Sequence, residues 1–376
     1  MPWRQATVVS QREEFVRLAG QEGANVSELC RRFEVSRKTG YKWLGRWSSL
    51  GLAGLEDQSP RPLNSPGKTP VSTEARVLKV RQAHPAWGAR KIAHVLLRDH
   101  GLELASSTVN SILKRHGCIG EQASQAATAW QRFEHEAPND LWQMDFKGHF
   151  ATGQGRCHPL TVLDDHSRYN LVLEAAAGET LIEVQPRLQR AFERYGLPRR
   201  INTDNGPPWM AGGQTPLTRL AVWLIRIGVA LSSSRPAHPQ TNGKEERFHR
   251  TLKAEVLGSR QFSDFADVQK HFDDWRPVYN FERPHQALAM QTPAQRYRPS
   301  PRTMPRSLPP IEYGPDDTVR KVQAGGWISL AGRDIRLSEV LRGLPVALRS
   351  RADDDALRDV YFCHQKIAVI DLNDSD

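Results

Sequence analysis

The sequence predicts an α/β protein with a mixed central sheet, preceded by two helix-turn-helix segments and followed by a small β-rich region. Three observations favour this class. Apolar residues recur with helical spacing before residue 120, alternate with polar residues from about residue 139, and form short runs between glycines after residue 317. Two segments rich in proline, glycine or serine, 51–73 and 298–317, separate these parts of the chain and are interpreted as linkers.

The composition favours a nucleic-acid partner. The chain has 376 residues, a net charge of +10 and 39% hydrophobic residues. A basic excess favours a polyanionic partner, and nucleic acid is favoured over an anionic membrane. A basic protein without such a partner has the same composition. No apolar run is long enough to cross a bilayer and the first residues lack a signal core, so we expect neither a membrane partner nor secretion. The four cysteines are far apart, which favours reduced thiols in a cytosol.

The first helix-turn-helix segment is predicted over 25–47. Ser27 is expected to cap its first helix and Ser36 its second. A plain helical hairpin with a solvated basic face has the same pattern. The side chains expected to be buried on the second helix are Trp43, Leu44 and Trp47. The side chains expected near its start, where a recognition helix meets DNA, are Arg37, Lys38, Tyr41 and Lys42.

A second helix-turn-helix segment is predicted over 86–117. Two apolar stripes, one on each helix, would pack together, and Ser106 or Ser107 would cap the second helix. Two such units in one chain suit a protein that reads an extended DNA site. The side chains predicted to face DNA are Asn110, Lys114 and Arg115.

The centre of the chain predicts a sheet. The stretch "NDLWQMDFKGHF" alternates, so that Trp142 points to one side and Asp145 to the other, as in a strand. Residues 158–177 are interpreted as two strands joined by a turn, in which Asp164 and Asp165 would bond to their own backbone.

Helices and strands are then predicted to alternate. Helical spacing runs from Leu181 to Tyr195, and Pro186 is expected to kink this helix or to shift its start. A strand over 198–206, a helix, a further strand and a helix from about Asn242 complete the mixed α/β unit.

Two aspartates stand where chemistry is possible. Asp145 lies within a predicted central strand, where an acid is costly unless it is paired or bound to a metal. Asp204 lies where a strand ends, and ligands collect at the carboxyl ends of strands. The sequence Asp204-Asn205-Gly206 is also a good turn, so the turn and the catalytic interpretation of Asp204 have equal weight.

Adjacent glutamates begin the last helix of this unit. At about 100° per residue, Glu245 falls on the apolar stripe that contains Phe248, and Glu246 falls on a polar, basic face. With Asn242 as the N-cap, Glu245 occupies the third helical position of a capping box. The pattern therefore assigns a structural role to Glu245 and leaves Glu246 as the candidate for chemistry.

The motifs of this region resemble a known family. "WQMDF", "INTDNGPPW", "RPAHPQTNGKEERFHRTLK" and "YNFERPHQALAMQTPAQRY" are similar, in this order, to the catalytic core of DDE transposases and retroviral-type integrases, and most to bacterial insertion-sequence transposases. The resemblance covers about 135–297 and implies a ribonuclease-H-like fold. It also implies a catalytic and metal-binding triad of Asp145, Asp204 and Glu246. The step 246 − 204 = 42 is longer than the D,D-35-E spacing of the family.

The resemblance implies DNA cleavage and strand transfer assisted by two Mg²⁺ ions, for which Mn²⁺ can substitute. The implied partners are double-stranded DNA, at the element ends and at the target, and further copies of the chain; the implied location is the cytoplasm, with the nucleoid. Phosphate or DNA-end contacts are expected from residues for which a solvated surface is an equal interpretation. These residues are His238, Gln240, Lys244, His249, Arg250 and Lys253.

The expected domains follow from these motifs. They are a first helix-turn-helix domain (1–50), a linker (51–73), a second helix-turn-helix domain (74–120), the catalytic core (135–297), a proline-rich linker (298–317) and a small β-rich domain (318–376) that forms a small barrel. Two other functions remain: a DNA-binding protein derived from a transposase that lacks chemistry, and a ribonuclease with the same core.

Overall fold

The computed structural model describes residues 7–58, 69–119, 134–210, 217–233, 243–258, 260–351, 354 and 356–373. The chain divides into two units, Met1–Thr69 and Pro70–Asp376. Within the described ranges, no helix has both the length and the apolar character that a membrane crossing requires.

The first unit contains three helices and a short final turn. The helices are α1 (Val8–Ala19), α2 (Val26–Arg32) and α3 (Arg37–Leu50), and a 3-10 turn over Gly51–Leu55 follows. Ser36 caps α3 as predicted, since its hydroxyl accepts a hydrogen bond from the Thr39 N–H at 3.2 Å. The core side chains are Phe15, Val16, Cys30, Trp43 and Leu55.

Two expectations for this unit were wrong. The cap of α2 is Asn25 rather than Ser27, because the Asn25 amide oxygen reaches the N–H groups of Ser27 and Glu28. Trp47 is 37% exposed, whereas Leu55, which lies in the segment predicted as a linker, is fully buried in the core. The turn after α3 therefore supplies the apolar side chain that closes this end of the core.

A second three-helix domain begins the second unit. Its helices are α4 (Val71–Ala83), α5 (Ala89–His100) and α6 (Ser106–Arg115). The predicted serine cap of α6 was wrong, because the helix starts one residue earlier than a serine cap requires and Ala105 is the N-cap. The predicted apolar stripes are confirmed, since Ile92, Val95, Leu96, Val109, Ile112 and Leu113 are buried together.

A mixed sheet forms the centre of the second unit. Its strands are β1 (Leu141–Phe146), β2 (Phe150–Thr152), β3 (Gly155–Asp164), β4 (Asn170–Ala176), β5 (Arg200–Thr203) and β6 (Ala230–Ser233). The order is β4–β3–β1–β5–β6, and β2 pairs with the start of β3. β3 runs antiparallel to β1 and β4, while β1, β5 and β6 are parallel. The predicted hairpin between β3 and β4 is confirmed.

Helices cover both faces of this sheet. α7 (Leu181–Tyr195) and α8 (Arg219–Arg226) pack against the face that carries Trp142 and Met144. α7 begins at Leu181 and includes Pro186, so the predicted shift of its start was wrong.

The opposite face is covered by α9 (Gly243–Leu252), which continues into a π-helical turn over Lys253–Leu257, and by α10 (Phe265–Pro277). A second π-helical turn, Val278–Glu282, and the short α11 (Pro293–Arg296) follow. Side chains of opposite strand faces are thus buried in two separate apolar layers, as expected for a central sheet.

The chain ends in a β region that packs on α8. Its strands are β7 (Thr318–Lys321), β8 (Trp327–Leu330), β9 (Arg333–Arg336), β10 (Pro345–Ser350), β11 (Leu357–Phe362) and β12 (Gln365–Asp371). They form an antiparallel sheet in the order β12–β11–β10–β7 and a separate β8–β9 hairpin, in place of the barrel that the sequence predicted. Ala221, Val222 and Ile225 of α8 share its apolar core.

Candidate active site and nucleic-acid interface

Two predicted catalytic acids lie on neighbouring strands. Asp145 is in β1, and Asp204 directly follows β5. The two strands are parallel and their register pairs Gln143 with Asn202. Two positions further along each strand are 143 + 2 = 145 and 202 + 2 = 204, so this register brings the two acids opposite each other. They stand at the carboxyl ends of parallel strands, the edge of an α/β sheet where ligands bind.

Asp204 also forms the turn that its sequence context predicts. One carboxylate oxygen, Oδ1, accepts a hydrogen bond from the Gly206 N–H at 3.3 Å. The residue is exposed, and this bond fixes the side chain at the point where β5 ends. The turn therefore orients the carboxylate and leaves oxygen atoms for a further ligand.

The adjacent glutamates of α9 point in opposite directions. Glu245 is 1% exposed and lies among buried Phe248 and Leu252, whereas Glu246 is on the exposed side. Arg250 and Lys253 are exposed as well, at the spacing of one and two turns after Glu246. The predicted division of α9 into an apolar stripe and a basic face is confirmed for Glu245, Glu246, Arg250 and Lys253.

The surroundings of Asp145 raise the pKa of its carboxyl to about 7. Burial is the largest cause, because a carboxylate loses hydration there, and the charge of Asp204 is the next. Glu179 and Glu246 add to the repulsion. Sequence reasoning missed Glu179, which precedes α7, because a glutamate in a short loop carries no distinguishing pattern.

The acids offer the right atoms for magnesium but are not gathered into a closed cluster. Among the residues described, no group of three or more His, Cys, Asp or Glu side chains is close enough to hold a metal ion. Asp145 nevertheless lies within electrostatic range of both Asp204 and Glu246. All three offer carboxylate oxygens, the ligands that Mg²⁺ prefers, and a divalent cation would offset the repulsion that raises the pKa of Asp145. The donor set therefore fits magnesium.

The Glu245 side chain contacts the sheet. Its Oε2 lies 3.2 Å from the hydroxyl of Thr161 and 3.6 Å from Nε2 of His249. Asn242, the expected partner in a capping box, lies outside the described residues. The capping interpretation therefore stays a prediction, and the contact that the structure describes is with Thr161 on β3.

His249 lies inside the protein, whereas the sequence predicted a phosphate contact on the surface. Its side chain is 14% exposed, its Nε2 is 2.8 Å from the Thr161 hydroxyl, and its Nδ1 is 4.0 Å from Asp145 Oδ2. Burial lowers the pKa of His249 to about 3, so the imidazole is neutral. Helical periodicity alone misplaced it, because His249 lies between the polar face and the buried stripe.

The hydrogen bonds of Thr161 are satisfied when both neighbours supply a proton. Its hydroxyl donates to the backbone oxygen of Asp145 at 2.9 Å and has two lone pairs left. Nε2 of His249 and Oε2 of Glu245 face them at 2.8 and 3.2 Å. Burial raises the pKa of Glu245 well above its usual value, which favours the protonated form of this carboxyl.

Lys244, predicted to contact DNA, is turned inward. Its ammonium pairs with the carboxylate of buried Asp165, and its side chain is 16% exposed. Burial, followed by the charge of Arg168, lowers the pKa of Lys244 to about 8. Asp165 also accepts a hydrogen bond from Gln143 at 2.6 Å, so its predicted role as a turn former was wrong. Asp164 does form the turn, since it accepts from the Ser167 N–H at 2.8 Å.

The predicted DNA-contacting side chains of the two helix-turn-helix segments differ in their exposure. Those of α3 all lie on the surface near its start, as predicted: Arg37, Lys38, Tyr41 and Lys42. On α6, Lys114 is exposed and Asn110 is half-buried, while Arg115 forms an ion pair with Glu74 of α4 at 2.7 Å. His238 and Gln240 lie outside the described residues.

Comparison with known families identifies the class of protein. Residues 135–239 and 227–293 match two families that are both described as Integrase core domain. Residues 11–62 match a Helix-turn-helix domain, and residues 39–113 a Homeodomain-like domain. The chain therefore carries an integrase core domain preceded by helix-turn-helix domains. The last part of the chain is more specific, since residues 317–376 match the C-terminal domain of the IS481 family of transposases.

Proteins of insertion elements are similar to this chain in sequence. An insertion element IS476 protein of 39.2 kDa from Xanthomonas euvesicatoria is 27% identical over 284 residues, which cover 73% of this chain and 78% of the relative. An insertion element IS407 protein from Burkholderia multivorans is 26% identical over 59% of this chain and 79% of its own length. The catalytic core domain of HTLV-2 integrase, solved with magnesium, is 18% identical and covers 43% of this chain and 96% of its own, with a TM-score of 0.31. The chain is homologous to insertion-element proteins and to retroviral integrases, and it carries the integrase core and the carboxyl-terminal domain of a transposase.

Proposed function

We propose that this protein is a DNA transposase that binds the ends of a mobile element, cleaves DNA there and joins the freed 3′ ends to a target strand. The observation that carries the proposal is the convergence of carboxylates at one edge of the sheet. Asp145 and Asp204 stand opposite each other in the parallel register of β1 and β5, and Glu246 adds to the field that raises the pKa of Asp145.

The three acids are the proposed metal ligands, and hard carboxylate oxygens favour Mg²⁺, with Mn²⁺ as a substitute. Two bound ions would stabilise the attacking and the leaving oxygen of an in-line displacement at phosphorus. Asp204 is oriented for this role by its bond to Gly206, and Glu246 by its place in the first turn of α9.

The chain's exposed basic residues have a role in the same proposal. Arg250 and Lys253 follow Glu246 on the outer face of α9 and would bind the phosphates that flank the reacting bond. The exposed start of α3 and Lys114 of α6 would read or hold the element end. Two element ends must be joined together, so the active form is a homo-oligomer on DNA.

The test uses purified protein, Mg²⁺ and DNA that carries the element's own ends. Asp204→Asn is expected to lose detectable cleavage and strand transfer while its affinity for end DNA stays within about twofold of the unaltered protein, because the amide keeps the turn but is a poor magnesium ligand. Glu193→Gln, an acid-to-amide change at an exposed position of α7, is the matched control and is expected to retain activity.

Three results would contradict the proposal. Strand transfer by Asp204→Asn at the rate of the unaltered protein would reject the assignment of Asp204 to the triad. End binding without any metal-dependent cleavage by the unaltered protein would indicate a DNA-binding regulator, and cleavage of an RNA–DNA hybrid in preference to DNA would indicate a ribonuclease.

A further inference from the structure

A buried polar cluster lies directly behind Asp145. Thr161 is opposite Asp145 in the antiparallel register of β1 and β3 and is fully buried. Its hydroxyl is 2.9 Å from the backbone oxygen of Asp145, 2.8 Å from Nε2 of His249 and 3.2 Å from Oε2 of Glu245. One hydroxyl thus connects α9 to the strand that carries the first acid of the proposed triad.

His249 extends this cluster to the acid itself. Its ring is held at Nε2 by Thr161, while Nδ1, on the other side of the ring, is 4.0 Å from Asp145 Oδ2. The side chain is 14% exposed, so packing as well as the hydrogen bond restricts the ring. A fixed ring at this distance restricts the directions that the Asp145 carboxylate can take.

Stability does not explain why a carboxyl occupies position 245. Glu245 lies on an apolar stripe beside Phe248 and Leu252, and an apolar residue of similar size would avoid the cost of burying a polar group. Replacing buried polar networks with apolar side chains is often neutral or stabilising. The Glu245 carboxyl is therefore better explained by the groups that it contacts, Thr161 and His249.

We propose that Glu245, Thr161 and His249 are positioning residues, which hold the backbone and the carboxylate of Asp145 in the orientation that binds metal. This inference rests on the proposed function, because it names what orients a proposed metal ligand. Thr161 anchors the carbonyl of Asp145, Glu245 and His249 hold the Thr161 hydroxyl, and His249 limits the rotation of the carboxylate. Loss of a hydrogen-bonded partner behind a metal ligand typically lowers metal affinity or activity by about 10–100-fold.

The test uses two matched pairs of variants in the full-length protein. Thr161→Val removes the hydroxyl and keeps the shape, while Thr161→Ser keeps the hydroxyl. Glu245→Leu removes the polar group, while Glu245→Gln keeps a neutral donor and acceptor. Three quantities are measured: the Tm without metal, the rise in Tm on adding Mg²⁺, and the rate of strand transfer as a function of Mg²⁺ concentration.

Thr161→Val is expected to lower the Tm without metal, because it leaves buried polar atoms of Glu245 and His249 without their partner, whereas Glu245→Leu is expected to keep or raise it. Both variants should need about tenfold more Mg²⁺ for half of the Tm rise and for half-maximal strand transfer. Thr161→Ser and Glu245→Gln should stay within about threefold of the unaltered protein, which a role in packing alone does not predict. If Glu245→Leu does not fold, the Thr161 pair gives the answer by itself.

Two outcomes would overturn the inference. The first outcome is that Thr161→Val needs the same Mg²⁺ concentration as the unaltered protein, while Asp145→Asn abolishes the Tm rise in the same assay. This outcome would reject the positioning role and leave the proposed function standing. A Tm rise with Mg²⁺ that survives in Asp145→Asn would reject both, because Asp145 would then not hold the metal.

Discussion

At the residue scale, Asp145 is an acid whose surroundings favour its protonated form. Burial and the charge of Asp204 raise the pKa of its carboxyl to about 7, whereas an aspartate in an unfolded chain titrates near pH 4. Between these pH values the folded protein binds more protons than the unfolded protein. Its free energy of unfolding therefore decreases as the pH rises through this window. Above pH 7, the contribution of Asp145 to this free energy is at its lowest.

This sign gives a prediction for Asp145→Asn in buffer without metal. The variant should match the unaltered protein in stability near pH 4 and exceed it at pH 8 by about 4 kcal/mol at most, because the amide never ionises. Thermal unfolding between pH 4 and pH 8 measures the difference, with the exposed Asp316→Asn as the control. A difference between the two proteins that does not change with pH would contradict the electrostatic account of Asp145.

The sequence predicted the face on which each acid lies better than it predicted the neighbours of these acids. Alternation in "LWQMDF" was enough to separate Asp145 from Trp142, and helical spacing separated Glu246 from Glu245. The partner of Glu245 could not be predicted, because Thr161 lies 84 positions away and only the packing of α9 on β3 brings the two together. The same packing turned His249 and Lys244 inward, against the prediction for a DNA-facing helix.

At the element scale, α3 has the properties of a helix that binds a phosphate backbone. Ser36 caps its start, and Arg37, Lys38 and Lys42 are exposed in its first turns. Lys38→Ala should weaken binding to specific and unrelated DNA alike and reduce the slope of log affinity against log salt by about 0.9, the value for one lost phosphate contact.

Fluorescence anisotropy at several salt concentrations measures this slope. Arg17→Ala, which removes an exposed charge from α1, is the matched control and should leave the slope unchanged. Equal slopes for Lys38→Ala and the unaltered protein would show that this residue is solvated and does not contact DNA.

The sequence predicted a helix cap correctly where one residue near the helix start was the clear candidate. Ser36 was predicted correctly as a cap, but Asn25 took the role assigned to Ser27, and α6 begins at Ser106 after Ala105, which makes no side-chain cap. Several residues near each helix start are good caps, and the packing of the helix decides which of them is used. Packing also decides that Leu55 is buried while Trp47 is partly exposed, since the turn after α3 places Leu55 at the end of the core.

At the scale of the whole second unit, the proline-rich segment 298–317 packs against the integrase core. The Arg302 guanidinium donates hydrogen bonds to the backbone oxygens of Pro198 and Gly228, and its own carbonyl accepts from Leu197. The sequence predicted a linker here because proline-rich composition says nothing about what a segment packs against. The mixed sheet and the β-rich end were predicted, but the contact of that end with α8 was not.

Arg302→Ala should therefore lower the free energy of unfolding of this unit by about 2–3 kcal/mol, since charged hydrogen bonds to buried backbone oxygens are lost. Chemical denaturation measures the change. Arg306→Ala, at an exposed position of the same segment, should change the stability by less than about 0.5 kcal/mol. Equal stability of the Arg302 and Arg306 variants would mean that the segment is only a tether.

The central claim is that Glu246, and not its neighbour, completes the acidic triad. Its most direct test is strand transfer by Glu246→Gln and Glu245→Gln, two identical chemical changes at adjacent positions of α9, assayed with Mg²⁺ and the element's own ends. We predict no detectable strand transfer by Glu246→Gln, with end-DNA binding retained, and activity within about threefold of the unaltered protein for Glu245→Gln, since the amide keeps the hydrogen bond to Thr161. An active Glu246→Gln beside an inactive Glu245→Gln would contradict the account.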